Sequence, residues 1–518
     1  MAITELTDED ARDLAQFGYK QELVRTLGQF STFATGFAFI SILTGMFLLF
    51  GFSYATGGPA SIWAWVIAVA GQLLFALAFA ELAVRYPLAG SVYNWSKQVA
   101  SRTVSWLAGW SMTLALIVSV AAVALAFQAI LPSISSVFWI YGNGSGKYDA
   151  SINSVILGLI ALTLSTVVFL CGAKVRKVVN NIGVSVELVS VLLMIVLLLF
   201  HVHQGPKVVF KTNGTGLHVS GGYLGVIAVC LLIGLTVQWG FDTAGSVGEE
   251  TINPRRACPR GIIRALLASG IFGALLFFTA FMSLKNLHDP NIASGGLAYV
   301  LQSALGTTLG DILLGAAAIA VFVCLLANQT GAVNMIFAMA RDNALPGSAR
   351  LAKVDARRHT PFLPPIIVGL VSAGILLALM KQPQILLVTT SVTATLALLS
   401  YVLVVGPFAM LRLRGQWQAP AKGYFTLGRA GLAVSLIATV WGVCMIVNLA
   451  WPRDLFYNPA PPFHWYLRWG GVLIPGIAML VSFGVYWFVQ RRKIGILPSH
   501  AVQALAAEPV AEPIGQAD

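Results

Sequence analysis

Apolar segments long enough to cross a bilayer recur along the chain at about 29–51, 59–84, 103–131, 152–171, 181–201, 222–248, 260–284, 308–340, 362–380, 384–411, 430–450 and 469–490. A run of roughly 20 apolar residues satisfies its own backbone in hydrocarbon only by becoming a helix. Twelve such runs point to an all-α integral membrane protein of twelve transmembrane helices. No segment between them is long enough for a separate soluble domain. A composition of 57% hydrophobic and 10% charged residues likewise excludes an ordinary soluble globular chain. Residues Met1 to Gly28 are polar, with no basic region leading into an apolar core, so no cleavable signal peptide is expected.

A formal charge of +12 raises the question of nucleic acid, but the basic residues stand in short groups between apolar runs. That is the distribution of topology signals, and a nucleic-acid partner is not expected. With the N-terminus inside, only seven of the 32 Lys and Arg fall outside: Lys147, Lys207, Lys211, Lys285, Lys381, Arg453 and Arg468. The asymmetry predicts a multi-pass protein of the cell membrane with both termini cytoplasmic. Five scattered cysteines offer no metal spacing and no disulfide framework. The seven histidines all fall in loops or at span ends, and no nucleophile or nucleotide motif appears. An enzyme, a cofactor and a metal are therefore not expected.

Two spans are interrupted. In the sixth, Gly240, Gly245 and Gly248 puncture the apolar pattern, with Asp242 among them at a depth where a carboxylate is costly. In the first, Gly36 to Gly45 is broken by glycine and hydroxyl residues in mid-membrane. Broken helices five spans apart are what an inverted repeat produces, with the substrate held at the breaks. The implied organisation is a cytoplasmic segment 1–28 and two five-helix repeats, 29–201 and 222–411. Spans eleven and twelve follow at 430–490, then a disordered tail at 494–518. The external loop from Lys285 to Gly310 has room for a short helix.

Several motifs resemble a known family. Gly57-Gly-Pro-Ala60, Glu81-Leu-Ala-Val-Arg-Tyr-Pro-Leu-Ala-Gly-Ser-Val-Tyr93, Gly240-Phe-Asp242, Glu249-Glu-Thr-Ile-Asn-Pro-Arg-Arg256 and Ala340-Arg-Asp-Asn-Ala-Leu-Pro346 are similar to those of the amino acid–polyamine–organocation permeases. Within that superfamily the likeness is greatest to the amino acid/choline branch, which includes GABA and choline permeases. The resemblance implies the leucine-transporter-like 5+5 fold, a site between spans 1 and 6, and alternating access. It places a substrate carboxylate on Ser41, Ile42, Leu43, Thr44 and Gly45. It places the substrate amine against Thr236, Val237, Trp239 and Gly240. Half-helix N-termini offer free N–H groups and half-helix C-termini free carbonyls, as a zwitterion requires. Leu43 stands where relatives commonly carry a glycine, which leaves room for longer or differently charged substrates. Trp239 and Phe241 are either a platform for an organic cation or core aromatics.

Two acids are the candidates for coupling and gating. Asp242 aligns with a gating position of relatives, and it could equally cap the second half of span 6. Glu187 lies within Val184-Ser-Val-Glu-Leu-Val-Ser190, where many relatives carry a sodium-mimicking lysine. A glutamate there reads as a proton carrier, as part of a cation site with Ser41 or Thr390, or as a structural hydrogen bond between helices. The hydroxyl row Thr389 to Thr395, and Asn328, Gln329 and Asn334, rank after spans 1 and 6 as a polar path. Of the cytoplasmic charges, Glu81, Arg85, Glu249, Glu250 and Arg341 could form a gate, although most are expected to be solvated. The function that follows is secondary transport of a small amino acid or related amine such as GABA, with protons as the coupling partner. An organic cation such as choline, ethanolamine or a polyamine, or obligate exchange, is the alternative.

Overall fold

Apolar spans that must bond their own amides leave helix as the only regular structure among the residues described. The computed structural model describes residues 14–15, 17–19, 23, 25–215, 221–355, 360–457 and 463–501. Among these residues, ten helices are long and apolar enough to cross a membrane, and two shorter apolar helices, Gly222–Val237 and Leu363–Ala378, complete the expected set. In order, span 1 comprises Gln29–Ile40 and Ile42–Gly57, and span 2 is Pro59–Arg85. Span 3 is Arg102–Ile134, span 4 Asp149–Leu170 and span 5 Ala173–Leu199. Span 6 comprises Gly222–Val237 and the single turn Thr243–Ser246. Spans 7 and 8 are Pro254–Met282 and Thr307–Arg341, and span 9 is Leu363–Ala378. Spans 10, 11 and 12 are Ile385–Leu413, Gly428–Ala450 and Gly470–Gln490. The external loop before span 8 does carry a helix, Asn291–Leu305, and a second short helix, Ser91–Val99, links spans 2 and 3.

Burial sorts these spans into centre and rim. The apolar stretch of span 1 is 89% buried, whereas that of span 12 is 11% buried. Span 1 therefore faces protein almost everywhere, and span 12 faces lipid, as its exposed Leu480, Val481 and Phe488 require. Span 7 packs along spans 1 and 2, span 8 along spans 3 and 5, and span 10 along spans 3 and 11. The broken helices are thereby enclosed on all sides, which is the condition for irregular backbone at membrane depth.

One expectation needs correction. The tail was expected to be disordered from residue 494, but its first residues pack onto the molecule. The Gly495 and Leu497 amides donate to the carbonyls of Asp342 and Arg341 at 2.9 and 2.8 Å. Ala501 forms a β-bridge with Tyr19, and His500 is buried against the Phe337 ring. These few apolar residues and a row of backbone bonds suffice to dock a segment that has no periodicity to reveal it. Residues 502–518, and 1–13 of the N-terminal segment, lie outside the described residues.

Candidate functional site

Span 1 breaks at a residue that is not glycine. Ser41 adopts φ 35° and ψ 100°, which ends one helix and starts the next. Its amide still donates to the Phe37 carbonyl at 2.9 Å, while its hydroxyl accepts from the Thr44 amide at 3.3 Å. Glu187 reaches this break from span 5 and is fully buried. Its Oε1 accepts from the Ser41 hydroxyl at 2.7 Å and from the Leu43 amide at 3.2 Å. The Thr44 hydroxyl in turn lies 2.7 Å from Ser41 Oγ. A carboxylate at a helix N-terminus meets free N–H groups and the positive end of the helix dipole. Glu187 thus places its carboxyl, from within the protein, where this half-helix end favours an anion.

Span 6 breaks differently. Its first half ends at Val237, and Gly240, at φ 78°, turns the chain. A Cβ on Gly240 would come within 1.9 Å of the Phe39 ring, so both conformation and space demand glycine here. The Gly240 amide donates to the Tyr401 hydroxyl at 2.8 Å, and that hydroxyl donates to Asp242 Oδ1 at 2.5 Å. Ser91 donates to Asp242 Oδ2 at 2.7 Å. The Asp242 side chain makes no capping bond to the turn that follows. It ties span 6 to span 10 and to the short helix after span 2. Phe241 is fully buried among Phe79 and Tyr401, with ring centroids at 6.1 and 5.4 Å, and is a core aromatic.

Between the breaks lies a cavity of about 30 Å³, room for roughly two water molecules. Thr44, Gly45, Thr236, Val237 and Trp239 line it, as the sequence led one to expect. Phe39, Ser119, Asn328, Thr390 and Thr393 line it too. Gly45 brings the two helices together, since a Cβ there would meet Val237 at 2.0 Å. No charged side chain is in the lining. Ser119 donates to Asn328 Oδ1 at 2.6 Å, whereas the buried hydroxyls of Thr236 and Thr393 have no hydrogen-bond partner among the described residues. Phe39 and Trp239 meet edge to face at 4.9 Å and close the cavity on one side. Beyond them is a second void of about 10 Å³ beside Gly240, Asp242, Ser91 and Met335.

The expected binding residues therefore divide into three groups. Five line the cavity and Gly240 lines the smaller void, but Ser41, Ile42 and Leu43 line neither. Those three lie on the Glu187 side of the break, where the Ser41 hydroxyl and Leu43 amide are already engaged. Thr390 does not meet Glu187, because its hydroxyl bonds back to the Leu386 carbonyl at 2.8 Å. Among the described residues no group of three His, Cys, Asp or Glu side chains could hold a metal ion.

The amino acid permease family profile matches residues 27–480. The chain belongs to the amino acid permease family. Its relatives include the amino-acid permease BAT1 of Arabidopsis thaliana, 28% identical over 85% of this chain and 88% of that protein. The branched-chain amino acid permease BcaP of Bacillus subtilis (strain 168) is 28% identical over 68% of this chain and 75% of its own length. The methylthioribose transporter of the same organism is 26% identical over 83% of this chain and 92% of its own. The superfamily inferred from the motifs is the right one, and this multi-pass membrane protein is a transporter and not an enzyme.

At one end of the permease, the charges expected to be solvated are locked in the protein. Arg341 and Glu249 form a two-pronged pair at 2.8 and 2.9 Å with neither side chain exposed. Glu249 Oε1 also accepts from the Ala89 amide at 2.9 Å. Asp342 accepts from Tyr19 at 2.6 Å and from Tyr93 at 2.9 Å, and pairs with Lys97. Arg25 donates to the Thr251 carbonyl at 2.8 Å. Glu81 pairs with Arg412 and accepts from Trp417 and Thr426, while Arg85 donates to Gln418 at 3.2 Å. Burying such pairs is tolerable because each charge meets an opposite one, although the Nε of Arg341 and of Arg412 has no hydrogen-bond partner among the described residues. The lock joins the N-terminal segment to the ends of spans 6 and 8.

Proposed function

We propose that this permease carries a small amino acid without net charge across the cell membrane by alternating access. The observation that carries the reading is the uncharged cavity between two helix breaks, with the two unpartnered threonine hydroxyls Thr236 and Thr393 in its wall. A zwitterion brings a balanced pair of charges and takes its bonds from backbone ends and hydroxyls. Choline or a polyamine would bring a cation with no acid in the lining to balance it, so the organic-cation alternative is disfavoured. Phe39, Leu48, Val123 and Val237 give the cavity an apolar wall, which suits an aliphatic side chain once the site opens, in keeping with a relative named for branched-chain amino acids. GABA, also a zwitterion, remains within the class.

Coupling follows from Glu187. While charged, it holds the N-terminal end of the second half of span 1. A substrate carboxylate seeking the same end meets like-charge repulsion. Protonation of Glu187 removes that repulsion and weakens its hold on Ser41 and Leu43, so substrate and proton travel together. Asp242 with Tyr401 and the Arg341–Glu249 lock gate the cytoplasmic side. The repeats at 29–201 and 222–411 move against each other, spans 11 and 12 stay at the rim, and both termini are cytoplasmic.

A thermal-shift screen of the purified protein tests the substrate class, since a ligand of the folded state raises its stability by mass action. Neutral amino acids or GABA should stabilise it, and choline, ethanolamine and putrescine should not. Thr236→Val and Thr393→Val should each weaken binding about tenfold through one lost hydrogen bond, with the unliganded midpoint unchanged. Stabilisation by cations alone would overturn the reading.

A further inference from the structure

Span 12 ends in a π-helical turn, Tyr486–Gln490. Tyr486 anchors it: the ring is fully buried, stacks on Trp106 at 4.4 Å, and its hydroxyl lies 3.1 Å from Thr103 Oγ1. That anchor sets the end of span 12 beside the first turn of span 3 and leaves a cleft of about 900 Å³ between them. Arg102, Arg491 and Arg492 line the cleft together with Ser101, Thr103 and Trp487, and no acidic residue does. None of the three arginines forms an ion pair among the described residues. The Arg491 guanidinium lies 4.0 Å over the Trp487 ring, which holds it in place and leaves its in-plane N–H groups available. The cleft also borders the N-terminus of a 23-residue helix, Arg102–Ala124, where the Val104 amide is capped by Ser101 Oγ at 3.4 Å.

We infer that this cleft is a binding site for the phosphate headgroup of an anionic phospholipid. Three guanidinium groups, a helix N-terminus and two hydroxyls suit a phosphate ester. The apolar neighbours decide between a lipid and a soluble anion. Phe488, 86% exposed, and Val489 stand next to the arginines on the span least covered by protein, where acyl chains run. Basic pockets at helix ends are the usual form of such sites. The position carries a consequence for gating. Gln490 donates to the Asn343 and Leu345 carbonyls at 2.5 and 3.1 Å, and the next residues dock on Asp342 and Arg341. A lipid held by Arg491 and Arg492 therefore steadies the segment that covers the Arg341–Glu249 lock.

The test uses the full-length protein purified in detergent and stripped of lipid, with lipid binding counted by native mass spectrometry. Phosphatidylglycerol should bind at least tenfold more tightly than phosphatidylcholine. Arg102→Ala, Arg491→Ala and Arg492→Ala together should abolish that preference, with each arginine worth on the order of fivefold. The corresponding triple Arg→Lys variant, which preserves charge, should retain most of it. Equal binding of the two lipids, or an undiminished preference in a folded triple Ala variant, overturns the assignment. Glycerol phosphate competing as well as the whole lipid overturns the lipid in favour of a soluble anion. A photoactivatable phosphatidylglycerol supplies a readout on the unaltered chain. Adducts within 101–106 and 486–492 support the site, and adducts confined to other peptides contradict it.

Discussion

The two helix breaks solve one problem by opposite means. At span 6 the bend is built into the chain: Gly240 holds a positive φ that a side chain would strain, and Phe39 leaves no room for one. Tyr401 then bonds both the Gly240 amide and Asp242, inside an aromatic cluster with Phe79 and Phe241. At span 1 the bend sits on Ser41, in a backbone conformation uncommon for a residue with a side chain. What holds it there is a carboxylate from another helix. We propose that packing and backbone geometry hold the span 6 break fixed, and that the single titratable group at span 1 makes that break conditional, so that the two divide the work of a fixed and a movable wall.

The largest expected effect falls on the fixed break. Gly240→Ala adds a left-handed backbone cost of about 1–2 kcal/mol and drives a methyl into Phe39. The thermal midpoint should drop further than for a substitution at Gly45, Tyr401 or Ser41, and substrate binding should be lost with it. Gly45→Ala, by contrast, brings no positive-φ cost and meets the Val237 side chain at 2.0 Å, and should weaken binding with a smaller loss of stability. Equal midpoints for wild type and Gly240→Ala would remove the basis for calling that break fixed.

Tyr401→Phe should come next. It leaves the Gly240 amide without its acceptor and Asp242 without one of its donors, at about 1–3 kcal/mol for each buried group. Denaturation in detergent should show the loss directly. At the movable break, Ser41→Ala removes one hydrogen bond to Glu187 and should cost about 1 kcal/mol. Its stronger signature should be functional, as a shift in the pH at which uptake is half-maximal. A midpoint loss for Ser41→Ala exceeding that for Tyr401→Phe would reverse the comparison.

How much of this was legible in the sequence depends on how far apart the interacting residues lie. The spans, their order and the two breaks follow from hydropathy and glycine placement, which are local signals. Thr44, Gly45, Thr236, Val237 and Trp239 flank those breaks and are named by the family resemblance that the motifs carry. Ser41 to Leu43 were named for the same reason, yet they face Glu187, because the side of a broken helix that meets the cavity is set by neighbouring helices. Phe39 and Ser119 join the lining from positions that read as ordinary span residues, and Thr393 joins it from the hydroxyl row that reads as a polar path. Tyr401 reads as one more aromatic in an apolar run, and its hydroxyl gains meaning only against Asp242, 159 residues away. Arg341 and Glu249 carry interfacial charge in the sequence, and only packing reveals them fully buried. Burial of a charge pair leaves no periodic trace.

Everything conditional about the span 1 break hangs on Glu187. The direct measurement is transport by Glu187→Gln in liposomes, with exchange and pH-gradient-driven accumulation followed in the same preparation. Glutamine keeps an acceptor for Ser41 and Leu43 but cannot take up and release a proton. Exchange of labelled for unlabelled substrate should therefore persist at near wild-type rates, while accumulation driven by an imposed pH gradient should vanish. If the variant still concentrates substrate in response to that gradient, Glu187 is a structural tie between spans 1 and 5, and the proton path lies elsewhere.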